Sequence, residues 1–126
     1  MDDQASESVT SARALWKLAW RRPMSYEPLH EARAILENSL KTDEDDVVAL
    51  TCLGAVLCDL HLYALARENL ERAVRLGAAD RNTFFNLYVA MLDSATMEDA
   101  RAALHQGAHL ERNPVTWEAY FDAQAM

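Results

Sequence analysis

The strongest constraint on the fold of this chain is an internal period of 34 residues. Residues of similar size recur at this interval in six series: Trp16, Leu50, Phe84; Ala19, Leu53, Leu87; Leu29, Tyr63, Met97; Ala32, Ala66, Ala100; Leu36, Leu70, Leu104; and Ser39, Ala73, Gly107. Such agreement is expected where one helix pair stacks on the next and small residues let the backbones approach. The sequence therefore predicts a stack of repeated helix pairs.

Helix starts and stops divide the chain into seven predicted helices. Asp80 and Thr96 are N-cap residues, and Gly77 provides a left-handed helix end. Asn113 followed by Pro114 predicts the start of a short seventh helix. We expect a disordered tail over residues 1–10 and one domain over residues 11–126. Within that domain the repeats span 13–46, 47–80 and 81–114, the first being degenerate, and a capping helix spans 115–124.

The middle copy resembles the tetratricopeptide repeat (TPR) family. The matching residues are Leu50, Leu53, Gly54, Leu57, Tyr63, Ala66, Leu70 and Ala73. The resemblance covers residues 13–114 and implies an all-α fold. That fold is a right-handed stack of antiparallel helix pairs, a TPR-like α-solenoid of three repeats closed by a C-terminal capping helix.

The resemblance also implies a concave groove that holds a peptide or helix of a partner protein. In the third predicted helix, the arc opposite the packing face is mostly apolar, whereas a purely solvent-facing arc should be charged. The predicted groove residues are Leu18, Arg21, Val48, Cys52, Ala55, Asp59, Asn82, Phe85, Asn86, Val89, Leu92 and Asp93. Asp59 and Asp93 recur at one level of successive repeats and are candidate acceptors for a partner's Lys or Arg, while Arg21 is a candidate for a carboxylate.

The net negative charge of the chain disfavours some classes of binding partner. The chain has 20 acidic against 12 basic residues and a net charge of −8, which disfavours nucleic acid and anionic membranes. Its longest apolar run is too short to span a bilayer, and the first residues lack a secretory pattern, so we expect a cytoplasmic protein. The predicted function is a protein-interaction module or adaptor that binds an apolar or amphipathic segment.

Several alternatives stay open at this point. The groove residues could instead pack against a terminal helix or a second copy of the chain. Aromatic residues near both ends, Trp16 and Trp20 as well as Trp117 and Tyr120, suggest either core packing or a homodimer through the end faces of the stack. In size and apolar character the chain is also similar to small bacterial chaperones that hold apolar components of type III secretion systems.

The alternative from another class is a metal-dependent enzyme. His105 and His109 are four residues apart, a spacing that suits two metal ligands, but the sequence lacks the Glu of a metalloprotease helix and an evident third ligand. Cys52 and Cys58 lie six residues apart on a predicted helix, too far for a disulfide. We therefore predict no catalytic residues, no metal and no cofactor.

Overall fold

The computed structural model describes residues 6–21 and 25–120 and is all-helical over these ranges. The helices are α1 (Glu7–Ala19), α2 (Glu27–Thr42), α3 (Val47–Asp59), α4 (Tyr63–Arg75), α5 (Arg81–Met91) and α6 (Met97–Gln106). Each helix packs against the next along the chain, and α3 also contacts α1 and α5. We call α1, α3 and α5 the inner helices, and the face that they form together the groove.

Helix starts repeat with the sequence period. Asp46 and Asp80 cap α3 and α5, which begin 34 residues apart at Val47 and Arg81. The carboxylate of Asp46 accepts hydrogen bonds from two main-chain N–H groups of the first turn of α3, and Asp80 accepts one from the first turn of α5. These bonds satisfy amides that have no partner inside the helix. The predicted cap at Asp80 is confirmed.

Small residues set the distance between helices in each pair. Ala32, Ala66 and Ala100, one from each repeat, are completely buried. Gly54 of α3 faces Leu70 of α4 so closely that an added Cβ would lie 2.8 Å or less from three Leu70 side-chain atoms. The recurring small residues of the sequence thus correspond to close helix contacts in the structure.

The predicted disordered tail is wrong over residues 6–10. Ser6 caps α1 by accepting a hydrogen bond from the main-chain N–H of Val9, and the Val9 side chain is buried in the core. A capping hydroxyl followed by a buried valine is enough to start the helix earlier than the polar composition suggested. Residues 1–5 of the predicted tail lie outside the described residues.

The predicted capping helix is wrong over residues 115–120, which form a turn and then an irregular stretch. Asn113 starts the turn: its side-chain oxygen accepts from the main-chain N–H of Val115, and its carbonyl accepts from the N–H of Thr116. Further on, the N–H groups of Ala119 and Tyr120 donate to side chains of the inner helices instead of to carbonyls of their own segment. Residues 121–124 of the predicted helix lie outside the described residues.

Candidate functional site

The groove is occupied by the chain's own residues 113–120, which we call the C-terminal segment. Along α1, Arg13 Nη1 donates to the carbonyl of Pro114 over 2.6 Å. One turn later the rings of Trp16 and Trp117 stack with their centroids 5.6 Å apart. At the end of α1, Trp20 and Tyr120 stack with centroids 4.3 Å apart. The C-terminal segment therefore runs alongside α1 in the same direction as that helix.

The beginning of the C-terminal segment is fixed at the start of α5. One oxygen of Asp80 accepts from the main-chain N–H of Asn113 over 2.9 Å, and the other accepts from the hydroxyl of Thr116 over 2.6 Å. Asn82 donates to the same hydroxyl over 3.0 Å. Asp80 thus has two roles, because it caps α5 and anchors the segment with the same carboxylate.

Asn86, in the middle of α5, binds the main chain of the segment. Its Nδ2 donates to the carbonyl of Trp117 over 3.1 Å, and its Oδ1 accepts from the N–H of Ala119 over 2.7 Å. A longer contact of 3.4 Å joins the same Nδ2 to the carbonyl of Thr51 on α3. Asn86 is completely buried, so these bonds are what make a polar side chain tolerable at this position.

Asp59, the last residue of α3, holds the far end of the segment. Its two oxygens accept from the Trp16 indole N–H and from the main-chain N–H of Tyr120, each over 2.8 Å. Burial raises the pKa of Asp59 to about 7, although both N–H donors favour its ionised form. Asp59 therefore links α1, α3 and the C-terminal segment through one carboxyl group.

The central inner helix is enclosed as a result. Residues 49–59 of α3 are all buried, since α3 packs against α1, α2, α4 and α5 and the C-terminal segment bonds to Asp59 at its end. The Cys58 thiol donates to the carbonyl of Asn86 over 3.7 Å. Burial raises the pKa of both thiols, which keeps them protonated and poor as nucleophiles.

The structure distributes the predicted groove residues over three environments. Six are buried: Cys52, Ala55, Asp59, Asn82, Asn86 and Val89. Three are partly buried: Val48, Phe85 and Leu92. Three are exposed: Leu18, Arg21 and Asp93.

The structure separates the two aspartates that the sequence placed at equivalent levels. Asp93 is exposed, whereas Asp59 is buried and already accepts two N–H groups of its own chain. The interpretation of Asp59 as a free acceptor for a partner's basic side chain is wrong for this conformation, because both of its oxygens are engaged.

Sequence reasoning missed the residues that face the groove from its two sides. Arg13, Trp16 and Trp20 contact the segment from α1, and Asp80 holds its beginning. The aromatic spacing contained the necessary signal: Trp16 and Trp20 are one helical turn apart and are matched by a second aromatic pair near the C-terminus. These rings stack on each other within one chain.

The histidine pair does not share a helix. His105 lies in the last turn of α6, whereas His109 follows that helix. Over residues 6–21 and 25–120, no group of three or more His, Cys, Asp and Glu side chains is arranged to hold a metal ion. Every helix in the same ranges is too short or too polar to cross a lipid bilayer.

Comparison with known proteins gives no relative from which a function could be transferred. No protein-family model matches the chain, and no curated protein matches it. The resemblance to tetratricopeptide repeats therefore rests on the period and its residues alone.

Proposed function

We propose that this protein is an interaction module of the tetratricopeptide-repeat kind, whose groove binds an extended segment of a partner protein. The partner segment takes the place that the C-terminal segment holds in this structure, and binding involves neither catalysis nor a cofactor. The observation that carries the proposal is the pair of hydrogen bonds between the buried side chain of Asn86 and the main chain of Trp117 and Ala119.

The chemistry of an amide side chain explains why Asn86 favours peptide binding. Its carboxamide has one acceptor oxygen and two N–H donors, so it can engage the C=O and N–H groups that every extended peptide presents. Main-chain bonds of this kind provide affinity for a peptide of any sequence, while pockets for side chains add selectivity.

Aromatic stacking adds that selectivity at the α1 side of the groove. Trp16 and Trp20 present two rings to the segment, and each stacks on an aromatic ring of the occupant. Aromatic pairs contribute about 0.5–1.5 kcal/mol beyond the area that they bury. The groove therefore has one wall that binds main chain and another that binds rings.

An extended occupant fits this arrangement better than a helical one. Asn86 and Asp59 accept N–H groups from Ala119 and Tyr120, which are neighbours along the chain. In the interior of a helix those N–H groups would be bonded to carbonyls four residues earlier and unable to donate outward. We therefore favour the extended segment over the amphipathic helix.

The experiment measures binding of a fluorescently labelled peptide with the sequence of residues 113–120. The receptor is the full-length chain with Trp117→Ala, which weakens the chain's own occupant. We expect saturable binding, and we expect Asn86→Leu in the same background to weaken it by at least about 10-fold, because two main-chain bonds are lost.

The matched control is Asn38→Leu in the same background. Asn38 is an exposed asparagine of α2, which is not one of the inner helices, so this change should leave peptide affinity unaltered. Equal affinity with and without the Asn86 side chain would contradict the proposal.

A further inference from the structure

The C-terminal segment shows, position by position, what the groove accepts. Trp117 is 4% exposed and stacks on Trp16, and Ala119 is 3% exposed beside Asn86. Tyr120 stacks on Trp20 and remains 54% exposed. The groove thus encloses the first aromatic ring and the small residue, and contacts only one face of the second ring.

The position between them is different, because Glu118 forms its ion pair outside the groove. Its carboxylate pairs with Arg112 over 3.0 Å, which belongs to the stretch just before the segment. Both side chains of this pair keep a third or more of their surface exposed, so its strength is small. A different side chain at position 118 should therefore be accepted.

The small residue is constrained by packing. Ala119 has its side chain buried in the core while its N–H is held by Asn86. Protein interiors are packed closely, so additional methylene groups at such a position force neighbouring atoms to move. Only a residue near the size of alanine keeps both the packing and the hydrogen bond.

The chain's own segment leaves two polar atoms unsatisfied. Trp117 Nε1 and Asn82 Oδ1 are buried and have no hydrogen-bond partner within the part of the chain that the structure describes. Both atoms lie in the contact between segment and groove, since Asn82 also donates to Thr116 of the segment. A buried polar atom without a partner costs free energy. An occupant whose atoms donated to Asn82 Oδ1 would therefore gain free energy relative to the C-terminal segment.

From these observations we propose the sequence class of the partner and the way in which it gains access, an inference that rests on the proposed function. The partner segment carries an aromatic residue, any residue, a small residue and a second aromatic residue in succession, as positions 117–120 do. It binds by displacing the C-terminal segment, which is a built-in competitor for the groove.

The C-terminal segment competes with a free partner segment because it is covalently connected to the helices that form the groove. A segment tethered near its own site acts at an effective concentration of about millimolar when the connection is short and flexible. A free partner must overcome this occupancy, so its apparent affinity falls by the fraction of molecules with an open groove. Weakening the C-terminal segment should consequently strengthen the binding of an added peptide.

Two measurements with the labelled 113–120 peptide test the inference. In the first, the receptors are the full-length parent chain and its Trp117→Ala variant, and we expect the variant to bind at least about 10-fold more tightly. Thr116→Val provides a second release variant, because it removes only the hydroxyl that joins the segment to Asp80 and Asn82. Circular dichroism confirms that each receptor keeps its helices, and Thr116→Val alone carries the test if Trp117→Ala does not fold.

In the second measurement one release variant serves as the receptor throughout, and the sequence of the peptide is varied. Peptides with Trp117→Ala or Ala119→Leu should lose at least about 10-fold in affinity, while the peptide with Glu118→Lys should bind as the parent peptide does. The Glu118→Lys peptide is the matched control, since it alters the one inner position of the pattern whose charged group pairs outside the groove.

The outcomes separate this inference from the proposed function. If no peptide binds any receptor, both are wrong. If peptides bind but all four sequences bind equally, the pattern is wrong and the groove function stands. If parent and release variants bind the peptide equally, displacement is wrong. If sedimentation shows that the parent chain is a dimer that the peptide dissociates, the natural occupant is a second copy and the inferred heterologous partner is overturned.

Discussion

Replacing Asn86 with leucine isolates the contribution of main-chain recognition to the closed groove. Leucine has the same number and branching of side-chain heavy atoms as asparagine and a higher helix propensity, so α5 itself should be maintained. The change removes the two short hydrogen bonds to the C-terminal segment and the longer one to Thr51. It therefore alters how the segment is held more than how the helices form.

The magnitude follows from the groups left behind. Two main-chain groups, the N–H of Ala119 and the C=O of Trp117, lose their partner in a buried position. Each buried group without a partner costs about 1–3 kcal/mol, so we expect the docked segment to lose about 2–6 kcal/mol. The loss cannot exceed the free energy of docking, because a detached segment regains hydrogen bonds to water. Detachment is thus the expected result, with the helices still folded.

Amide hydrogen exchange measures this effect at individual residues. Protection at Ala119 and Tyr120 should fall by at least about 30-fold, since every 1.4 kcal/mol corresponds to a factor of ten. Protection within α4 should remain unchanged. Asn69→Leu is the matched control, because Asn69 donates only to the carbonyl of Leu65 on the outer surface of that helix. Unchanged protection at residues 119 and 120 would refute the reasoning, and so would equal loss of protection in α4.

Three further predictions concern stability. Burial raises the pKa of Asp59 to about 7, so the folded chain binds a proton that the unfolded chain releases between about pH 4 and 7. The free energy of unfolding, measured by urea denaturation, should therefore fall by about 2 kcal/mol between about pH 5.5 and 8.5. Asp59→Asn should remove most of this pH dependence. A pH dependence that persists in the variant would show that other groups cause it. Leu70→Ala should lower the free energy of unfolding by about 2–5 kcal/mol in the same assay, because Leu70 is completely buried between stacked helices. A variant as stable as the parent would contradict the repeat register. Gly54→Ala should destabilise the chain by about 1–3 kcal/mol, because the added methyl group overlaps with Leu70. The same substitution should destabilise the Leu70→Ala variant less than it destabilises the parent chain. Strictly additive effects of the two substitutions would argue against the close contact.

The helices were predictable because their determinants are local. The carboxylate of Asp80 caps α5 two residues later, and Gly77 adopts the left-handed conformation with φ 94° at the end of the preceding helix region. The recurring small residues mark the faces that pack, and Ala66 is completely buried as its periodicity predicted. Each of these features acts over a few residues or one repeat, so a sequence pattern is enough to reveal it.

The C-terminal segment was not predictable in the same way because its partners are remote. Val115 and the residues after it have an apolar spacing that is typical of a helix. The competing hydrogen bonds come from Asp80, 33 residues before Asn113, and from Asp59, 61 residues before Tyr120. A local pattern contains no information on acceptors that distant, and their bonds determine the conformation. The same long-range contacts bury Asp59, which the sequence alone presented as a groove acceptor.

The unequal repeats also determine the direction in which a segment can lie in the groove. Leu18, Cys52 and Asn86 occupy equivalent positions of the three repeats, and only Asn86 has a carboxamide that binds main chain. Rings that stack on the segment are instead supplied by α1, through Trp16 and Trp20. An occupant that runs the opposite way would present its N–H and C=O groups to Asn86 in reverse order. The carboxamide would then have to turn over and lose the contact of its Nδ2 with the carbonyl of Thr51. The 34-residue period therefore produces the groove, whereas the differences between the repeats determine the direction in which a segment binds. We expect a partner segment to run in the direction of the inner helices.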